Sequence, residues 1–128
     1  MMNAIDDALA PVLRDVAATS PVALHVVQGE SVPVVDQEIA WISADDQSSV
    51  GILVTLSASR PCQVVEAAAQ VQDWLVECLA EQGFSSNWPE CEAHPTSHPL
   101  EPYCKDEVPT WRCPSSKSDM KRIGGFGD

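Results

Sequence analysis

The sequence predicts an α+β fold in the order helix, three-stranded antiparallel meander, long amphipathic helix and small C-terminal hairpin. Two observations support this order: apolar residues recur with helical spacing near residues 4–18 and 60–82, and they alternate with a period of two between these segments. A third is the change of composition after Gly83, where proline, cysteine, histidine and tryptophan become frequent. The length of 128 residues fits one domain with a small appendage.

The first helix is predicted from a single apolar stripe. A proline inside a helix removes a hydrogen-bond donor and clashes with the preceding turn, but the first turn tolerates it. Pro11 therefore places the expected start of the regular helix near Asp7 or Ala8, and Pro21 ends it because the residue before a proline leaves the α region. The stripe consists of Ile5, Leu9, Val12, Leu13 and Val16.

The segments at 22–27, 39–42 and 50–56 read as strands because apolar residues alternate along them. Their short connections favour antiparallel neighbours, since a parallel crossover needs a dozen or more residues. The polar run at 45–49 has turn chemistry and predicts a hairpin. Both helices are expected on one sheet face, and the second face would then carry an unusual number of apolar residues, which favours a dimer or a bound partner. These residues are Val27, Ala40, Ile42 and Leu53.

The second helix is predicted over residues 60–82, with an apolar stripe opposite a polar face. Ser59 can cap its start, Pro61 suits its first turn, and Gly83 can end it.

The region after Gly83 is predicted to form a hairpin from residues 103–105 and 110–112. A two-stranded hairpin is marginally stable in water, so another group must stabilise it. The chain is therefore expected to comprise a compact α+β core at 1–83, a hairpin appendage at 84–116 and a flexible tail at 117–128.

A candidate zinc site lies in this appendage. Cys91 and His94 have a C-x2-H spacing, His98 follows four residues later, and Cys113 lies across the predicted hairpin. Thiolate and imidazole suit tetrahedral zinc, and four filled positions would make the ion structural. Cys104 is a substitute fourth ligand, while a zinc ribbon would place a further ligand near Ser116, where this chain has none. The alternative is an ordinary proline-rich loop with buried cysteines and exposed histidines.

A thiol enzyme is another alternative, in which Cys104 is the nucleophile and His94 or His98 its base. Asp106 or Glu107 would orient that base. No glycine-rich turn or nucleophile elbow surrounds Cys104, so we expect no enzymatic activity.

The composition excludes several function classes. Seven basic and 19 acidic side chains give a formal charge of −12, which argues against a phosphate-binding nucleic-acid surface. The N-terminus lacks the features of a secretory signal, and no apolar run approaches the roughly 20 residues of a membrane span. Five cysteines without an export signal fit reduced thiols or metal ligands, so we expect a cytoplasmic protein.

The C-terminal half carries a distinctive motif, W-P-x-C-x2-H-P-x2-H-P-L from Trp88 to Leu100, followed by W-x-C-P at Trp111. With the preceding V-Q-D-W at Val71, it resembles a group of small proteins of high-GC Gram-positive bacteria over about residues 64 to 126. No established function is associated with that group, so the resemblance implies a bacterial cytoplasmic origin and no activity.

These observations favour a non-enzymatic protein-binding module, such as an adaptor, chaperone or accessory factor. Its partner would be another protein or a second copy of the chain at the second sheet face. The alternative is an inhibitor or immunity-type protein whose negative charge neutralises a basic target, because charge complementarity accelerates encounter.

Overall fold

A computed structural model describes residues 3–30, 34–44 and 48–126. It confirms the α+β class, with two helices and two three-stranded antiparallel sheets. No helix in these ranges has the length and apolar character to cross a membrane. The elements in chain order are α1 (Ala4–Thr19), β1 (Leu24–Val27), β2 (Gln37–Ala44), β3 (Ser49–Thr55), α2 (Arg60–Glu81), β4 (Glu101–Lys105), β5 (Val108–Arg112) and β6 (Asp119–Arg122).

Helix α1 begins at Ala4, so the predicted start near Asp7 or Ala8 is wrong, and Pro11 lies inside the helix. The extra turn is stabilised by Ile5, which is buried and whose amide donates to Glu38 Oε1 at 3.1 Å. Gly124 packs directly against Pro11, since a Cβ at position 124 would come within 2.8 Å of Pro11 Cβ.

The first sheet has the order β1-β2-β3, as the meander prediction required. The register pairs Ala40 with Ile52 and Ile42 with Val50. Ala40 and Ile42 are buried in the core, so their expected place on the second face is wrong. The alternation along β2 has the opposite phase, so Ile39 and Trp41 lie on the second face, together with Val27 and Leu53, which were expected there. The centre of the predicted turn, residues 45–47, lies outside the described residues.

Helix α2 has the predicted caps: Ser59 Oγ accepts from the Cys62 amide at 3.4 Å, and Gly83 follows with a φ of 82°. It packs against α1 and reaches the first sheet at the outer edge of β3. Gln70 bonds both the amide and the carbonyl of Leu53, at 3.0 and 2.6 Å, and Glu66 accepts from the Thr55 amide at 3.2 Å. These side chains satisfy edge groups that would otherwise be open to another strand.

The second sheet has the order β4-β5-β6, so the predicted hairpin gains a third strand from the segment expected to be a flexible tail. Ile123 is buried directly after β6, and the amides of Gly124 and Phe126 donate to the Asp15 carboxylate. These contacts order the segment through residue 126, and residues 127–128 lie outside the described part. Trp111 and Ile123 belong to the same buried core as α1 and α2, so the predicted appendage shares its core with residues 1–83.

Candidate metal centre

The candidate centre is carried by a loop between α2 and β4, whose two ends are held together. The Leu100 amide donates to the Pro89 carbonyl at 2.8 Å, and Glu90 and Pro99 form an isolated bridge. From α2, the side-chain amide of Gln72 donates to the carbonyls of Trp88 and Leu100 at 3.0 and 2.6 Å. The loop is thus closed at its base and attached to the long helix.

The structure brings Cys91, His94, His98 and Cys113 together, with one donor atom of each within 4.8 Å of the others. His94 Nδ1 lies 3.7 Å from Cys91 Sγ, 3.5 Å from Cys113 Sγ and 3.2 Å from His98 Nε2. His98 Nε2 lies 3.8 Å from Cys113 Sγ. Four donor atoms therefore surround one point.

These separations can be compared with those around a tetrahedral ion. Zn–S bonds of about 2.3 Å and Zn–N bonds of about 2.05 Å place two nitrogens about 3.3 Å apart and sulfur about 3.6 Å from nitrogen. The nitrogen–nitrogen distance of 3.2 Å and the sulfur–nitrogen distances of 3.5 to 3.8 Å lie close to these values. The group could therefore hold a metal ion.

Local turns aim the two thiols. The His94 amide donates to the Cys91 carbonyl at 3.0 Å, which folds the C-x2-H segment back on itself. After β5, the Ser116 amide donates to Cys113 Sγ at 3.5 Å. Hydrogen bonds from Ser116, first from its side chain and then from its amide, lower the pKa of Cys113 to about 6. Ser116, at the position where a ribbon would have another ligand, instead favours the thiolate form that binds metal.

The surroundings of the two histidines differ from those of the cysteines. Cys91 and Cys113 are fully buried, whereas His94 and His98 are partly exposed. His98 Nδ1 lies 3.1 Å from the Pro99 carbonyl, which can only accept a hydrogen bond. This contact assigns the ring proton to Nδ1 and leaves the Nε2 lone pair directed at the cluster.

Two tryptophans lie next to the segments that carry the cluster: Trp88 precedes Cys91 by three residues, and Trp111 precedes Cys113 by two. Trp88 and Trp111 meet edge to face with ring centroids 5.5 Å apart. Trp88 Nε1 donates to Thr19 Oγ1 at 2.9 Å, and Trp111 Nε1 donates to Asp15 Oδ2 at 2.8 Å. Both tryptophans are therefore hydrogen-bonded to the last two turns of α1.

Sequence reasoning missed Asp15 and Gln72. Asp15 is fully buried and accepts from Trp111, from the Gly124 amide at 2.7 Å and from the Phe126 amide at 3.0 Å. Burial raises the pKa of Asp15, against the opposing effect of these hydrogen bonds. Its position three residues after Val12, beside the apolar stripe, was the available signal. Gln72 carries no comparable signal.

Cys104 lies on β4, outside the four-residue cluster, so it is not the fourth member of the group. His94 and His98 direct nitrogens at Cys91 and Cys113. Burial, followed by the neighbouring Cys62 thiol, raises the pKa of Cys104, which disfavours a nucleophilic thiolate. Asp106 and Glu107 form the β4–β5 turn with positive φ angles.

No family model matches the chain, and no curated protein or solved structure gives a significant match. Function is therefore inferred from the chemistry of the cluster and of the surfaces around it.

Proposed function

We propose that the chain is a non-enzymatic protein-binding module whose C-terminal part is held by one structural zinc ion. The observation that carries the zinc proposal is the convergence of Cys91, His94, His98 and Cys113 within 4.8 Å. Two thiols and two imidazoles are ligands that zinc prefers, whereas calcium and magnesium prefer oxygen. Four protein ligands fill a tetrahedral site and leave no position for a reacting water, so the ion is structural.

The ion would connect two segments that share few backbone hydrogen bonds. Cys91, His94 and His98 belong to the loop before β4, whereas Cys113 begins the turn between β5 and β6. The strands of this second sheet have only four or five residues each. Binding energy from a structural metal adds to folding energy, because the unfolded chain has no preformed site.

Metal content and local protection test the zinc proposal. Protein purified without chelator or affinity metal should contain one zinc per chain by elemental analysis, and Cys91→Ser should lose it. Amide exchange at 88–114 should rise in the variant while α2 stays protected. Cys62→Ser is the matched control, because Cys62 is exposed and lies outside the cluster. Absence of metal, or equal protection in Cys91→Ser and the parent protein, would contradict the proposal.

The protein-binding proposal is supported by the second face of the first sheet. Ile39, Trp41 and Leu53 are only partly buried there, and Val27 at the sheet edge is 38% exposed. A protein partner or a second copy would cover these side chains. Native mass measured over a concentration series tests self-association, and Trp41→Glu should abolish any dimer formed through this face. A dimer that survives Trp41→Glu would place the contact elsewhere.

A second candidate function is inhibition of a basic target, which the distribution of charge favours. Residues 1–83 contain twelve acidic and two basic side chains, a net charge of −10, whereas residues 84–128 contain seven and five, a net charge of −2. Negative charge concentrated on one part of a chain steers a cationic partner to it. Association with such a target should slow steeply as salt increases, and a salt-independent on-rate would exclude this function.

A further inference from the structure

A groove of about 490 Å³ lies beside the loop that precedes β4 and carries Cys91, His94 and His98, here called the metal loop. Its volume is within the range of about 300–1,000 Å³ typical of binding pockets. Its apolar lining comes from the C-terminal ends of α1 and α2, from the metal loop and from the C-terminal segment of the chain. The apolar lining residues are Pro21, Leu79, Phe84, Trp88, Pro89 and Phe126.

The groove combines an apolar interior with an acidic rim. Glu90 and Glu92 line it, both are exposed, and none of the described lining residues is cationic. Phe84 is 45% exposed at its edge, although a large aromatic side chain is among those that gain most from burial. These features are complementary to a ligand with one apolar group next to positive charge.

The metal loop itself forms part of this groove. Pro89, Glu90 and Glu92 flank Cys91, whose thiol belongs to the metal cluster. Trp88 lines the groove and contacts Trp111, which lies two residues before Cys113. Loss of the metal would therefore free the part of the wall at Glu92, next to Cys91, whereas hydrogen bonds to the carbonyls of Trp88 and Pro89 would still hold the rest.

We propose that this groove binds a segment of a partner protein in which an aromatic or large aliphatic side chain is followed by lysine or arginine, and that the bound metal keeps the Glu92 side of its wall in place. The apolar side chain would enter beside Phe84 and Leu79, and the cation would face Glu90 and Glu92. This proposal rests on the protein-binding and zinc functions proposed above, and it adds a surface separate from the sheet face that carries Trp41, together with the chemistry of the partner.

The test uses two short peptides of opposite charge, acetyl-Phe-Lys-Lys-amide and acetyl-Phe-Glu-Glu-amide, titrated into the zinc-loaded full chain at low salt and followed by NMR. We expect the lysine peptide to bind at least about tenfold more tightly, because two exposed ion pairs of ordinary strength amount to about that ratio. Chemical shifts should change at Phe84 and at the Trp88 indole. Equal binding of the two peptides, or shift changes confined to another surface, would overturn the groove assignment.

Variants separate the groove from the general negative charge of the chain. Glu90→Gln with Glu92→Gln should weaken the lysine peptide about tenfold, and Phe84→Ser should weaken it further. The matched control is Asp73→Asn with Glu77→Gln, two exposed acidic positions on α2 that lie outside this groove. Equal weakening by the control pair would show that only net charge matters, and would overturn the proposal.

Metal removal by a chelator tests the coupling. Weaker lysine-peptide binding on removal, with recovery when zinc is returned, is the expected result. Unchanged binding after removal would overturn the metal dependence. A zinc-loaded, folded chain that binds neither peptide would refute the groove while leaving the zinc proposal intact, and this outcome distinguishes the two.

Discussion

Asp15→Ala removes a carboxylate that joins α1 to the C-terminal end of the chain. Asp15 has no exposed surface, and its oxygens accept hydrogen bonds from Trp111 Nε1, the Gly124 amide and the Phe126 amide at 2.7 to 3.0 Å. The partners lie 96, 109 and 111 residues away along the chain. The variant therefore tests whether one buried group orders the segment after β6.

The expected cost follows from the three donors that lose their acceptor. A hydrogen bond to a charged group contributes about 1.5–3 kcal/mol, and a buried donor left unsatisfied costs about 1–3 kcal/mol. Removing the buried charge returns part of this cost, because burial disfavours the ionised carboxylate. We expect the free energy of unfolding to fall by about 3–5 kcal/mol, a large part of the roughly 5–15 kcal/mol typical of a domain.

Urea unfolding of the metal-loaded protein, followed by tryptophan fluorescence, measures this loss, and Asp73→Ala on the exposed face of α2 is the control. Amide exchange should rise most at Gly124 and Phe126. A loss below about 1 kcal/mol, with these two amides still protected, would refute the role given to Asp15.

The same residue predicts a pH dependence with a defined sign. Burial raises the pKa of Asp15 above its ordinary value of 3.8, so the folded chain binds this proton more tightly than the unfolded chain. The Asp15 contribution to stability should therefore fall as the pH rises from 3.8 through the folded pKa. The unfolding free energy of the parent minus that of Asp15→Asn, which cannot titrate there, should decrease over this window. An increase would show that the hydrogen bonds outweigh burial.

Three further predictions concern other parts of the molecule. Gln72→Leu removes the donor to the Trp88 and Leu100 carbonyls and should speed loss of zinc to a competing chelator by about 10-fold or more, while α2 stays helical by circular dichroism. Gly29→Ala would place a methyl group 2.2 Å from Trp41 Cδ1, so it should cost about 1–3 kcal/mol in urea unfolding and shift the tryptophan emission. Cys62 should react with iodoacetamide faster than Cys104, because Cys62 is exposed and burial raises the pKa of Cys104; peptide mass mapping measures both rates, and faster reaction at Cys104 would contradict the geometry.

The features that the sequence predicts correctly are those fixed by neighbouring residues. The order of helices and strands, the Ser59 cap and the Gly83 terminus of α2 all follow from local spacing and backbone preference. The convergence of the Cys/His group was also predictable in part, because Cys91, His94 and His98 lie within eight residues of the sequence. The approach of Cys113 to the other three residues depends on how the hairpin folds back on the loop, which local spacing does not determine.

The features that sequence reasoning misses depend on residues distant in the chain. Strand β6 pairs with β5 in a segment whose glycines and lysines suggest a flexible tail, and its order comes from the buried Ile123 and from Asp15. The start of α1 depends on Glu38, which accepts from the Ile5 amide, and Pro11 packs against Gly124. The residues of each such contact lie far apart in the sequence, so only the folded structure shows that they meet.

Two attachments of different chemistry hold the C-terminal part of the chain to the helices. Gln72 holds the loop before β4 to α2, whereas Asp15 holds β5 and the segment after β6 to α1; the Cys/His group brings the same loop against the turn after β5. Trp88 and Trp111 lie between the two attachments and contact each other. Since the proposed groove has walls from the metal loop and from Phe126, its shape depends on both attachments. The affinity of a partner that binds there would therefore depend both on metal in the loop and on the order of the C-terminal segment.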